Sequence, residues 1–399
     1  MLTQDFGLAQ LAAFAAGQLG ERNRVSREFF PKECRRLADV CREMSERFLK
    51  GGRLLAFGSG PYATDAQHVS VEFVHPVIVG KRALPALDLS MAYGPWLEAV
   101  LLPDDIVMGF GPPQGDASVQ RVLDYARRRG ALTLALPGSE ADYAVDAPSQ
   151  DPYVHQEMIE ILYHTLWETV HVFFEHREMG HDVGASSFLY PFLGQGRQDL
   201  TPIVEEVAAS IVMKAQDDER LRRDVAADQA QAIASATLGM HERLAAGGKL
   251  ILFGNGGSAT DANDWALDCV MPANGWKPVP AISLSLEPAN ITAIANDVGA
   301  EVIFLRQFIA QAQANDVAVA ISTSGGSANI IMALEEARRR GLLTVALLGY
   351  DGGEIVRRGL ADHAVVVGSD YIPRIQEVQA SVYHIIRAGL GMAGAGHAA

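Results

Sequence analysis

The chain has 399 residues, of which 49% are hydrophobic, and its 33 Lys and Arg face 48 Asp and Glu for a formal net charge of −15. That length suits two domains with substantial cores, and an acidic chain without a basic cluster argues against a nucleic-acid surface or an anionic membrane as partner. A small phosphorylated ligand stays open, because backbone N–H groups bind phosphate without side-chain charge.

In chain order, MLTQDFGLAQLAAFAAGQLGERN comes first. It has an acidic residue where a signal peptide needs basic ones, and Gln10 and Gln18 interrupt its small residues, so it reads as an amphipathic helix. No apolar run approaches the roughly 20 residues of a membrane span. A long helix is predicted over 26–50 and stops at Gly51-Gly52. The apolar run RLLAF then leads into GSGPYATDAQHVSVE, 58–72. PDDIVMGF (103–110), ARRRGALTLAL (126–136) and QEMIEILYH (156–164) follow. A stretch rich in turn formers, 180–201, carries the aromatic cluster FLYPF and reads as a linker.

The series then returns in the same order. A helix over about 217–247 stops at Gly247-Gly248, and KLILF leads into GNGGSATDANDWALD, 254–268. ANDVAVAI (314–321), ARRRGLLTVAL (337–347) and QEVQASVYH (376–384) match the later pieces. Four matches in order imply a tandem duplication, with domains over 1–179 and 202–399. In the second half KLILF, VPAISLS, DVAVAIS, LLTVALL and HAVVVG alternate with helices near 258–270, 300–314, 326–341 and 372–394. Strands alternating with helices give a parallel sheet covered on both faces, a three-layer α/β/α fold. Cys34, Cys41 and Cys269 form no metal or disulfide spacing, which fits a reducing cytoplasm.

The third strand of the second half ends in ISTSGGSAN, where Ser322, Thr323, Ser324 and Ser327 surround two glycines at a strand-to-helix turn. Glycine lets backbone approach an anion, and the following helix offers N–H groups, so this loop and GNGGS form a phosphate cup. GNGGSA and GSGPYA also fit the dinucleotide fingerprint G-x-G-x-x-G/A. The acidic ribose partner about 20 residues on is replaced by Ser283 and Ser285 in the second half, and no nucleotide cofactor is expected. The matching loop of the first half has Pro112, Pro113 and Asp116 at cup positions, so it should not take phosphate.

The first half holds a different set. His68 and Glu72 are four apart on a helical face, and Gln156 and His164 are eight apart on another. Imidazole, carboxylate and amide oxygen are metal ligands, and a Glu beside a His can move protons between adjacent sugar carbons. The second half keeps Gln376 and His384 but has Asp264 and Asp268 in place of the His–Glu pair.

GNGGSATDA, ISTSGGSANI, NDVG (296–299) and RIQEV…H (374–384) resemble the sugar isomerase (SIS) domain, and more closely the sedoheptulose-7-phosphate (phosphoheptose) isomerase family. The resemblance covers about 210–394 and, more weakly, 26–178. It implies two tandem SIS domains, each a five-stranded parallel sheet flanked by helices, and an aldose–ketose isomerase working through an enediol, most closely on sedoheptulose 7-phosphate. By that resemblance Asn255, Gly256, Gly257, Ser258, Ser322, Thr323, Ser324 and Ser327 hold the phosphate, with Asn296, Asp297 and Gln376 in the substrate site. Glu72, His164, His384 and Asp268 are the acid–base candidates. In some members the four types found at His68, Glu72, Gln156 and His164 bind zinc. The expected arrangement is a composite site, with phosphate on the second half and Glu72 and His164 from the first. The other version keeps the whole site in the second half, with Asp268 as base. A homodimer mimicking the family's tetramer is expected. The competing class is a non-catalytic sugar-phosphate or partner-binding protein.

Overall fold

The computed structural model describes residues 7–77, 81–178 and 201–395. It contains two five-stranded sheets, all strands parallel, in two compact units. The first sheet comprises β1 (Leu54–Gly58), β2 (Ala86–Asp88), β3 (Ile106–Phe110), β4 (Leu132–Leu136) and β5 (Tyr143–Ala144) in the order β2-β1-β3-β4-β5. The second comprises β6 (Leu250–Gly254), β7 (Ala281–Ser283), β8 (Val317–Ser322), β9 (Leu343–Gly349) and β10 (His363–Val367) in the matching order β7-β6-β8-β9-β10.

Both faces of the central strands of each sheet are buried, as their unbroken apolar runs required, while the edge strands β2 and β7 are more exposed. Along β6 and β8, Leu250, Leu252, Val317 and Val319 enter one core while Ile251, Phe253, Ala318 and Ala320 enter another. The first sheet divides the same way: Leu54 and Ala56 point to one core, Leu55 and Phe57 to the other. The duplication extends to side-chain ties. Asp105 Oδ1 accepts from the Arg53 N–H at 3.0 Å, and Asp316 Oδ1 accepts from the Lys249 N–H at 2.9 Å, each fixing the start of a central strand.

The helices are α1 (Leu8–Leu49), α2 (Ala63–Val74), α3 (Tyr93–Val100), α4 (Ala117–Arg128), α5 (Pro152–Glu178), α6 (Thr201–Asp228), α7 (Ala230–Ala245), α8 (Gly257–Val270), α9 (Pro288–Asp297), α10 (Ile303–Gln311), α11 (Ala328–Arg339), α12 (Gly353–Arg357) and α13 (Ile372–Ala395). Several differ from the sequence expectation. The N-terminal helix and the helix over 26–50 are one, running through Pro31, because Phe29, Phe30, Leu37 and Ala38 on both sides of that proline are held in one core. The helix expected over 217–247 is two helices broken at Gln229. The one expected over 300–314 shortens to α10, and α9 precedes it, started by Pro288 and by Glu287 capping the Ala289 N–H at 3.1 Å.

The compact units also cross the expected domain boundary. One unit is Val25–Gln216; the other joins the described part of Met1–Arg24 to Asp217–Ala399. A 42-residue helix is about 63 Å long, more than one sheet can cover. Ala15 and Leu19 of α1 accordingly pack with Leu221, Val225 and Ile233 in the C-terminal unit. Ile203, Val207 and Ile211 of α6 pack in the core of the N-terminal unit. The linker expected over 180–201 lies, except for its last residue, outside the described residues, and FLYPF with it. Among the described residues no helix is long and apolar enough to cross a membrane, and Cys34, Cys41 and Cys269 are free thiols.

Candidate functional site

In each sheet the chain leaves the first strand for the edge and then crosses back to pair the third strand on its other side. That reversal opens a crevice at the C-terminal ends of β6 and β8, where ligands bind in parallel sheets. The two glycine–hydroxyl loops of the C-terminal unit begin there.

The first loop turns at Gly256, whose φ of 58° favours glycine, and feeds α8. Ser258 is buried in its first turn. The second loop runs from Ser322 to Ser327 into α11. Ser322 Oγ accepts from the Gly325 N–H at 3.1 Å, and Ser324 Oγ accepts from the Gly326 N–H at 3.3 Å. Thr323 is half-buried and Ser324 exposed. Gly325 has φ 59°, and a Cβ there would lie 2.2 Å from the Gly352 carbonyl oxygen, so only glycine closes this turn. Asn255 and Asn329 join the loops by two amide hydrogen bonds of 3.0 Å each. Two helix starts and a set of hydroxyls thus share one crevice, a composition that binds anions. Asn296 and Asp297 end α9, are exposed and bond to each other at 2.8 Å. Among the described hydrogen bonds none joins them to the cup.

The same unit buries an acid–base cluster. Asp264 and Asp268 share a face of α8, and His384 of α13 meets both: its Nε2 lies 3.4 Å from Asp264 Oδ2 and 3.1 Å from Asp268 Oδ2. Tyr383 Oη donates to Asp264 Oδ2 at 2.8 Å, and Arg387 Nε donates to the Asp268 carbonyl at 2.9 Å. Burial first, and then the Asp264 charge, push the Asp268 carboxyl up to about 7, against the pull of His384 and Arg387. Gln376 Oε1, two turns earlier on α13, is buried and accepts no hydrogen bond.

The N-terminal unit places its chemistry differently. His68 Nε2 lies 3.3 Å from His164 Nε2 and 3.8 Å from Glu72 Oε1. Glu160 joins the two histidines in a buried group whose ligand atoms lie within 4.8 Å of one another. Two imidazoles and a carboxylate are a set zinc takes. Gln156 donates to Asp65 Oδ2 at 3.1 Å. Burial and the neighbouring Glu168 charge push Glu72 up to about 8. Glu168 itself pairs with Lys214 at 2.5 Å. His155 has its Nε2 3.1 Å from the Gly111 carbonyl, and burial lowers its pKa to about 4.

In the first half Asp116 joins the two loops that correspond to the cup. Asp116 caps α4, its Oδ1 accepting from the Ser118 N–H at 2.7 Å and the Ser118 hydroxyl at 2.6 Å. Its Oδ2 accepts from Ser59 Oγ, on the loop after β1, at 2.7 Å. Burial alone would raise this carboxyl, but those bonds together hold it below its ordinary value.

Three participants escaped the sequence reading. Glu160 was visible in principle, since Gln156, Glu160, His164 and Glu168 recur every four residues along one face of α5. Asn329 and Tyr383 carried no signal beyond standing next to assigned residues.

A family model described as SIS domain matches residues 215–349. A phosphoheptose isomerase of Nitratiruptor sp. is 47% identical over 139 residues, 35% of this chain and 73% of its own. The chain belongs to the SIS-domain phosphoheptose isomerase family. By that membership it is an isomerase. Another family relative, the phosphoheptose isomerase of Geobacter sulfurreducens, is 40% identical over 188 residues, 46% of this chain and 95% of its own. Of solved structures, the C-terminal domain of glucosamine-fructose-6-phosphate aminotransferase from Francisella tularensis matches 96% of this chain and 96% of its own at 11% identity with a TM-score of 0.54, a likeness of fold alone.

Proposed function

We propose that the chain is an aldose–ketose isomerase of a sugar phosphate, with its working site in the C-terminal unit. One observation carries this reading: the amide-joined cup and the Asp264–Asp268–His384 cluster are served by the same helix, α8. The cup lies at the N-terminal end of that helix and Asp264 and Asp268 lie further along it, so the sugar phosphate is taken to bind with its carbonyl end directed toward the acid–base groups. Asp268 takes the proton from the carbon beside the carbonyl, giving an enediol, and returns it to the neighbouring carbon. His384 moves the proton between the two oxygens. The names of the relatives and the sequence motifs favour sedoheptulose 7-phosphate, converted to a heptose 7-phosphate.

A second reading gives the proton transfer to Glu72, with His164 as its partner. It is favoured by the proton affinity of Glu72, which burial sets near 8. Zinc would be held by His68, His164 and Glu160, with Glu72 at the margin, and would supply a Lewis acid. We infer a homodimer, which would mimic the tetramer of SIS domains that the sequence resemblance implies, and a reducing cytoplasm as the setting for the three free thiols.

The discriminating experiment compares Asp268→Asn with Glu72→Gln. The proposed site requires that Asp268→Asn abolish turnover while the variant still binds the sugar phosphate. Full activity in Asp268→Asn with none in Glu72→Gln would transfer the base to Glu72.

A further inference from the structure

The function above takes the cup as joined by the reciprocal amide pair but gives Asn329 no part of its own. Asn255 lies on the loop after β6, and Asn329 in the first turn of α11. Each amide nitrogen donates to the other's oxygen. Asn329 Oδ1 also accepts from the Ile330 N–H at 2.9 Å, which anchors that side chain to its own helix. Neither side chain brings a charge into the crevice.

The N-terminal unit shows what happens when the pair is absent. Aligned on the ARRRG repeats, Asn329 corresponds to Ser118 and Ser327 to Asp116, and the opening pair of turns matches Asn255 to Ser59. Ser59 and Ser118 both donate to the Asp116 carboxylate. The same two loops are therefore joined in both units, once by a neutral amide pair and once through an anion belonging to the protein. A carboxylate that fills the span also repels a phosphate oxygen entering it.

We propose that Asn329, paired with Asn255, is the positioning residue that sets the span of the phosphate cup. In the N-terminal unit Asp116 holds the corresponding span as a built-in anion, leaving one working cup per chain. This rests on the reading of the C-terminal cup as the phosphate site. The pair acts on the preorganisation of the loops, so its loss weakens anion binding and leaves proton transfer alone.

The test is calorimetric titration of the full chain with inorganic phosphate, for wild type, Asn255→Ser, Asn329→Ser and the double variant. Wild type is expected to bind one phosphate per chain. Each single variant should bind about tenfold more weakly, and the double variant no more weakly than either single, since both remove one shared contact. With substrate, Asn329→Ser should raise KM by a similar factor while kcat stays within about twofold, a split that general loss of structure would not give. If Asn329→Ser fails to fold, Asn329→Gln, which keeps an amide but displaces it from Asn255, reads the same contact. Unchanged affinity in a folded single variant, additive losses near a hundredfold, or two phosphates per wild-type chain would overturn the proposal. Absence of any phosphate binding by wild type would overturn the phosphate reading itself, and this inference with it.

Discussion

Glu72 offers a test of the buried electrostatics that needs no substrate. Its carboxyl is 2% exposed, and its proton affinity is moved from an ordinary 4.5 to about 8 by burial and by Glu168. Between those values the folded chain keeps a proton that the unfolded chain has released, so stability falls as pH rises from 4.5 to 8 and levels off above. At 1.36 kcal/mol per pH unit the full cost has a ceiling of about 5 kcal/mol, and relaxation and water entry reduce it to a few. Glu72→Gln keeps the shape and removes the titration. In chelator-treated protein, urea unfolding at pH 5, 6.5 and 8.5 should show the variant near wild type at the lowest pH and more stable by about 2–4 kcal/mol at the highest. Asp268 and Asp218 also have raised affinities and slope both curves alike, so the difference between the two proteins is the readout. A constant difference across this range would refute the reasoning.

Further outcomes follow from other residues. Gly325→Ala forces a side chain into left-handed backbone against the Gly352 carbonyl and should cost about 2–4 kcal/mol in chemical denaturation, with phosphate binding lost. Asp116→Ala removes the α4 cap and should cost about 1–2 kcal/mol near pH 7. Because the folded carboxyl is held below its ordinary 3.8, that contribution is present above 3.8 and disappears as pH falls through the depressed value, which an acid titration of both proteins would show. If Asp268 is the base, kcat should rise as pH climbs through about 7 and be flat above, measured by product formation under saturating substrate.

The sheets were legible because their central strands are buried on both faces and read as apolar runs, and because the repeat doubled the signals. Even buried ties such as Asp105 and Asp316 stand at matching places in PDDIV and ANDVA. Helix extent was less legible, since Pro31 argues locally for a break that the packing of Phe29 and Leu37 overrides. The exchange of helix ends between the two units had no local signature, because apolar positions on a helix do not name the core they enter. At the site, the glycines and hydroxyls of the cup follow from backbone chemistry and could be read directly. Glu160 could be read only as one of a four-residue series on α5, because its role depends on which face of that helix meets His68. Asp116 was expected only to repel phosphate; its bonds to Ser59 and Ser118 arise from the approach of two loops far apart in sequence.

The most direct test of the account is incubation of the purified chain with sedoheptulose 7-phosphate in deuterated water, followed by NMR. The account requires deuterium at the carbon beside the carbonyl and formation of the aldose, both absent in Asp268→Asn. Demonstrable binding of the sugar phosphate with no exchange would contradict it.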